Sequence, residues 1–141
     1  MVLRRHPAGG PGRRFAGSGL IDTLHRFHAD WAWLAIVGNA VAGLIALAAW
    51  RVPRLRGRWV FGCTVAAEVA LLIQVATGAT LVSSKRFTVP RFHMFYGFVA
   101  FITIGIAYSS KDSMRGRLEM FYGIIGLFLM GVGIRAVLQV R

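Results

Sequence analysis

Apolar residues fall into four long runs, at 31–50, 59–83, 92–109 and 119–138, and most ionisable side chains lie between them. Within the last run the uncharged part is 120–134. Each run is near the ~20 residues that carry a helix across a bilayer at about 1.5 Å of rise per residue, the last two at the short end of that range. The runs predict four transmembrane helices. The connectors 51–58, 84–91 and 111–117 are short, which makes successive helices antiparallel. The expected fold is all-α: an integral membrane, up-and-down four-helix bundle over residues 21–141. A water-soluble bundle of four such helices would lack the polar surface to solvate them.

The first twenty residues are rich in Gly, Pro and Arg and have no apolar period, which predicts a disordered basic tail over 1–20. The Arg4-Arg5 and Arg13-Arg14 pairs suggest an export signal. The apolar run begins well downstream of them and has no small-residue cleavage pattern, so it is expected to remain as a membrane span. His6 belongs to this tail and receives no role. Ile21, Leu24 and Phe27, interleaved with Asp22, His25 and Arg26, suit an interfacial helical turn leading into the first span.

Composition agrees with the pattern: 56% of the 141 residues are hydrophobic and only 16% charged, with a mean hydropathy of +0.59. The net charge of +12 is spread over every connector and suits anionic lipid headgroups. No basic face with interleaved aromatics stands apart from the spans, so nucleic acid is not an expected partner. Fifteen of the seventeen cations are Arg, a bias attributed to a GC-rich bacterial genome, which places the chain in a bacterial inner (cytoplasmic) membrane. Charge does not orient it. With the N-terminus inside, ten cations are cytoplasmic against seven outside, and removing the tail reverses the balance to five against seven.

Helical geometry is more informative. At about 100° per residue, Ala32, Ala35, Asn39, Ala42, Gly43 and Ala46 all fall within about 60° of His28, with His25 at the edge of the same stripe. Cys63, Ala67, Ala70, Gln74, Thr77, Gly78 and Leu81 form a similar stripe on the second helix, and His93, Gly97, Ala100, Ile104 and Ala107 one on the third. Small faces let membrane helices approach closely or leave room for a flat ligand, and a buried Asn or Gln requires an interhelical partner. Packing accounts for the small residues but not for histidines on the same stripes.

His25, His28 and His93 all stand at helix mouths on one side of an up-and-down bundle. Neutral imidazole binds iron, and two diagonal helices can each present one axial ligand, so these residues are candidate ligands of a haem b between helices one and three. Arg26, Lys85, Arg86, Arg91 and Arg135 could pair with its propionates. No CxxCH motif is present for covalent attachment. Helices three and four share an echo, His93-Met-Phe-Tyr-Gly97 and Glu119-Met-Phe-Tyr-Gly123, read as interfacial aromatics with a packing glycine. His93 and Glu119 begin helices at opposite surfaces, which places Glu119 on the far side.

The segment Asp22-Thr-Leu-His25-Arg26-Phe-His28-Ala29 resembles the acidic-x-x-His-Arg-x-x-Ala start of a haem-bearing helix in haem A synthase-type proteins. The stretch Gln74-Val-Ala-Thr-Gly78-Ala-Thr-Leu81 resembles the Gln-rich next helix of that family, and His93 the histidine that begins the helix after it. The resemblance covers roughly residues 20–108. It implies a haem pocket on the outer face, His25 and His93 as axial ligands, and the N-terminus outside. The family carries two four-helix halves where this chain has one, and a Glu where this chain has Asp22.

Glu68 lies inside the second run, about 120° from the Gln74 stripe. An intramembrane carboxylate is a functional candidate, as a proton relay or an anchor for a partner subunit, because burying its charge costs several kcal/mol; the alternative is a protonated acid hydrogen-bonded to a neighbour. The angle leaves lipid, a partner subunit or the haem pocket as possible surroundings. Cys63 is the only cysteine, which excludes an internal disulfide and reads as a small packing residue. GxSxG, P-loop, CxxC and HExxH motifs are all missing, so independent enzymatic activity is not expected. Two classes remain: a haem-b protein with a redox or respiratory role, and an accessory or assembly subunit of a larger respiratory membrane complex, or a homo-oligomer, with no cofactor. A transporter is a weaker third, for want of an inverted repeat.

Overall fold

Chain breakers set the helix ends in the computed structural model, which describes residues 12–140. The helices are α1 Gly12–Arg51, α2 Arg58–Ser83, α3 Arg91–Ser110 and α4 Leu118–Leu138, with a 3₁₀ turn at Pro53–Leu55 after α1. Pro53 cannot continue α1, and Pro90 directly precedes α3, whose first turn has no use for its missing N–H. Gly116 adopts φ 90°, a left-handed conformation that turns the chain into α4. All four helices are long and apolar enough to cross a membrane, α1 over Gly19–Arg51. The chain is a multi-pass membrane protein of the all-α class.

α1 corrects the expectation of an irregular segment to residue 20. The helix begins at Gly12 and runs without a break into the first span. Pro11 is the last residue of the N-terminal segment that blocks a helix, and beyond it Arg13, Arg14, Phe15 and Ala16 are all compatible with one. The remainder of the expected tail, with His6, lies outside the described residues.

α1 is the centre of the bundle, lying against α2 on one side and α4 on the other, while α3 packs on α4. α2 and α3 meet only sparsely, and α1 and α3 stand diagonally opposite. The small stripe of α1 is what makes this arrangement close: Ala32, Ala35, Asn39, Ala42, Gly43 and Ala46 are all buried. Against α4 the two backbones touch. A Cβ on Gly126 would come within 2.9 Å of the Asn39 carbonyl oxygen and of the Gly43 Cα, and one on Gly123 within 2.6 Å of Leu47 Cγ. Small residues permit such approach, and the gain in dispersion contact holds membrane helices together where the lipid is as apolar as the protein.

α1 and α2 are joined by polar bonds as well. Asn39 Nδ2 donates to the carbonyls of Ala35 at 2.9 Å and Ala67 at 3.0 Å, and Trp31 Nε1 donates to the Ala70 carbonyl at 2.8 Å. At the far end, Arg56 donates from Nε to Ala49 O and from Nη2 to Trp50 O, which satisfies carbonyls that the end of α1 would leave open. The same guanidinium lies 4.0 Å from Glu119 of α4. The core forms two clusters along α1: Ala35, Leu71, Ala100, Ile104, Leu129 and Val132 make one, and Ala46, Ala49, Val60 and Tyr122 a second. Outward faces are apolar too, with Leu34, Val41, Phe98 and Phe128 each at least half exposed, as lipid contact requires.

Candidate functional site

The antiparallel arrangement brings the start of α1's apolar run, the second half of α2, the start of α3 and the end of α4 to one end of the bundle. His28 of α1 and His93 of α3 meet there across the diagonal, with ring centroids 6.1 Å apart and planes at 71°. Both rings are half-buried.

α2 holds the His28 ring. His28 Nδ1 lies 3.1 Å from Thr77 Oγ1, and the Thr77 hydroxyl donates to its own helix, at the carbonyls of Ile73 and Gln74. With that hydrogen spent, Thr77 oxygen accepts from Nδ1–H, and Nε2 of His28 carries the lone pair. Gln74 is consistent with this tautomer. Its Nε2 donates to the His28 carbonyl at 2.9 Å and lies 3.3 Å from His28 Nε2. Gln74 Oε1 is buried without a hydrogen-bond partner. The ring lies directly against Gly78, where a Cβ would come within 2.9 Å of His28 Cε1, so only glycine leaves it this place.

His93 reaches the same protonation pattern by another route. Its Nδ1 lies 2.9 Å from the Ala136 carbonyl in the last turn of α4, an oxygen that also accepts the Gln139 N–H at 3.3 Å. A carbonyl can only accept, so Nδ1 is the protonated nitrogen. Nε2 of His93 has no hydrogen-bond partner among the described residues. Both rings thus anchor Nδ1–H on an oxygen, the way ligating histidines are oriented, but the His28 Nε2 lone pair accepts from the Gln74 amide, whereas that of His93 is unengaged among the described residues.

His25 occupies a different position. It is exposed and stacks on Phe87 of the α2–α3 connector, at 4.5 Å between ring centroids. One turn earlier, Asp22 lies 3.5 Å from Arg86 of the same connector. The helix-one ring opposite His93 is therefore His28, while His25 and Asp22 pin the connector to α1. Arg26 and Arg91 are exposed at this end of the bundle. Gln74 is the predicted site residue most closely engaged, through its two contacts with His28.

Glu68 is not at this end. It lies six residues before Gln74, about 9 Å along α2, and is only 2% exposed, so it faces the bundle interior and not lipid. That corrects the lipid-facing alternative: the buried Ala67 and Leu71 flank it on α2. Thr77, Gly78, Phe87 and the Ala136 carbonyl were not singled out for roles at the site. Thr77 and Gly78 sit on the α2 stripe beside Gln74, and that shared face was the available signal.

Comparison of the chain with family models, with curated proteins and with solved structures gives no match.

Proposed function

We propose that this chain is a small membrane haem protein, with His28 and His93 as the axial ligands of a haem b between α1 and α3 and a redox or respiratory role. The single observation that carries this reading is the facing pair of imidazoles on diagonal helices, each protonated at Nδ1; iron binding would require the Gln74 amide to give up His28 Nε2. Among the described residues no group of three or more His, Cys, Asp or Glu is placed to hold a metal ion. Two protein ligands suit a haem iron, whose remaining positions belong to the macrocycle, better than a bare ion that takes about four or more. The group supplies one-electron chemistry. The chain's own part is to orient the ligands: Thr77 and the Ala136 carbonyl fix the two tautomers, and Gly78 makes room for the His28 ring. Arg26 and Arg91, exposed at this end, would face the propionates.

The likeness of residues 20–108 to haem A synthase-type proteins supports the same ligand class, with His28 in place of His25 as the helix-one member. The test is optical. Chain purified in mild detergent from haem-replete cells is expected to give a reduced-minus-oxidised haem spectrum. His93→Ala and His28→Ala should each abolish it, whereas His25→Ala should retain it. A colourless wild-type preparation would refute the proposal.

A second reading, an accessory subunit of a larger membrane complex, is favoured by the outer face of α3. Phe92, Phe95, Phe98 and Phe101 form an exposed aromatic stripe there, and Gly97 and Gly105 would meet nothing within 4 Å if given a Cβ. Gentle extraction should then recover the chain with a stoichiometric larger partner, and isolation as a monomer or homo-oligomer counts against it.

A further inference from the structure

Glu68 is a buried ionisable side chain for which the histidine site has no use. Neither carboxylate oxygen has a partner at full hydrogen-bond geometry, the Tyr108 hydroxyl being the one neighbouring donor directed at it, and none of the ion pairs among the described residues includes it. Burying an unpaired carboxylate charge inside a membrane bundle costs several kcal/mol. A side chain kept in that position acquires a positive partner that the fold itself does not supply.

The surroundings identify that partner. Tyr108 of α3 is the side chain that interacts with the Glu68 carboxyl, and Tyr122 of α4 also lies within its electrostatic reach. On α1, the Asn39 amide donates to the carbonyl of Ala67, the residue before Glu68, and is committed there and to the Ala35 carbonyl. A hard divalent cation takes about six or more oxygen ligands, and one carboxylate with neighbouring phenols falls well short of that. The ligand that fits is a proton.

The cleft nearest to Glu68 reaches Thr64, one turn away, and stops short of the carboxyl itself. Its volume is about 310 Å³, and it opens where α2 and α4 begin, lined among others by Gly57, Phe61, Thr64, Glu119 and Tyr122. Thr64 is one helical turn before Glu68, so the two share a face of α2, with Thr64 on the cleft side. Thr64 Oγ1 donates to the Val60 carbonyl, which leaves its oxygen lone pairs for an incoming donor. Glu119 stands at the mouth, 4.0 Å from Arg56.

We propose that Glu68 is a reversible proton-binding site, loaded from the surface at which α4 begins through the cleft between α2 and α4. In loading, the carboxylate takes a proton from hydronium in the cleft and releases water; unloading returns the proton to water on the same side. Because Glu68 lies about 9 Å from Gln74 along α2, this chemistry is independent of what His28 and His93 bind.

The experiment is infrared spectroscopy of the full chain in lipid. The wild type is expected to show a protonated-carboxyl carbonyl band that Glu68→Gln, close in size, removes. The band should shift on transfer to D2O, and its intensity should change reversibly with pH. Phe61→Ala, which widens the cleft, should speed the D2O shift at least three-fold, whereas Val69→Ala, on the outer face beside Glu68, should leave it unchanged. Absence of the band in the wild type overturns the proposal. So does a band that neither exchanges nor responds to pH, since that describes a sealed structural acid. Equal exchange rates in Phe61→Ala and wild type overturn the cleft as the route.

Discussion

The seam between α1 and α4 and the seam between α2 and α3 are built on opposite principles. In the first, glycines let two backbones touch, and Gly126 rests on the Asn39 carbonyl and the Gly43 Cα. In the second, two helices consecutive in sequence barely meet, although residues from both, Gln74, Thr77 and His93, gather at the same end. The tight seam has no spare volume and no unpaired polar group to offer a ligand. The loose seam borders the polar side chains that the candidate site uses. Close backbone packing is thus concentrated at the α1–α4 seam, away from the histidine pair.

Substitution at the tight seam is the sharpest way to break this contrast. Gly126→Leu drives a side chain into the α1 backbone and is expected to cost about 3 kcal/mol or more, by overpacking. Unfolding in mixed detergent and denaturing surfactant measures it, and a wild-type midpoint would refute the account of the seam. Asn39→Ala removes the interhelical bond to Ala67 and should cost about 1 kcal/mol in the same assay, the usual scale for such bonds in membranes. Gly78→Ala tests the site without touching the seam. Its Cβ displaces the His28 ring, so under the haem reading the spectrum should shift or weaken while the unfolding midpoint falls by less than for Gly126→Leu. At the small end, Gly105→Ala on the open face of α3 meets nothing, and higher helix propensity should raise stability by about 0.5 kcal/mol. A loss there would mean that the open glycine face is occupied.

The number of helices, their class and their buried stripes were legible in the sequence because they depend on local period and on the length of apolar runs. The stripe of Ala32, Ala35, Asn39, Ala42, Gly43 and Ala46 is buried along its whole length for that reason. The convergence of His28 with His93 was legible as far as antiparallel order fixes which helix ends coincide. The choice between His25 and His28 was not. It depends on where Phe87 lies in the connector, and connector paths carry no periodic signal. The surroundings of Glu68 stayed open for a related reason: an angle measured from one stripe says which face a residue occupies, not which neighbour covers that face. The start of α1 at Gly12 was hidden by a composition rich in Gly and Arg, in which Pro11 was the only strict block nearby.

Arg56 bears on the order in which the chain is assembled. Its bonds to the Ala49 and Trp50 carbonyls require only α1 and the connector that follows it. The Asn39 and Trp31 bonds require only α2 in addition. A nascent chain with two spans inserted can therefore close a self-contained hairpin, its interhelical polar bonds already made, before α3 or α4 has left the ribosome. Glu119 then reaches a cation that is already in place, so the last helix docks onto a prepared surface.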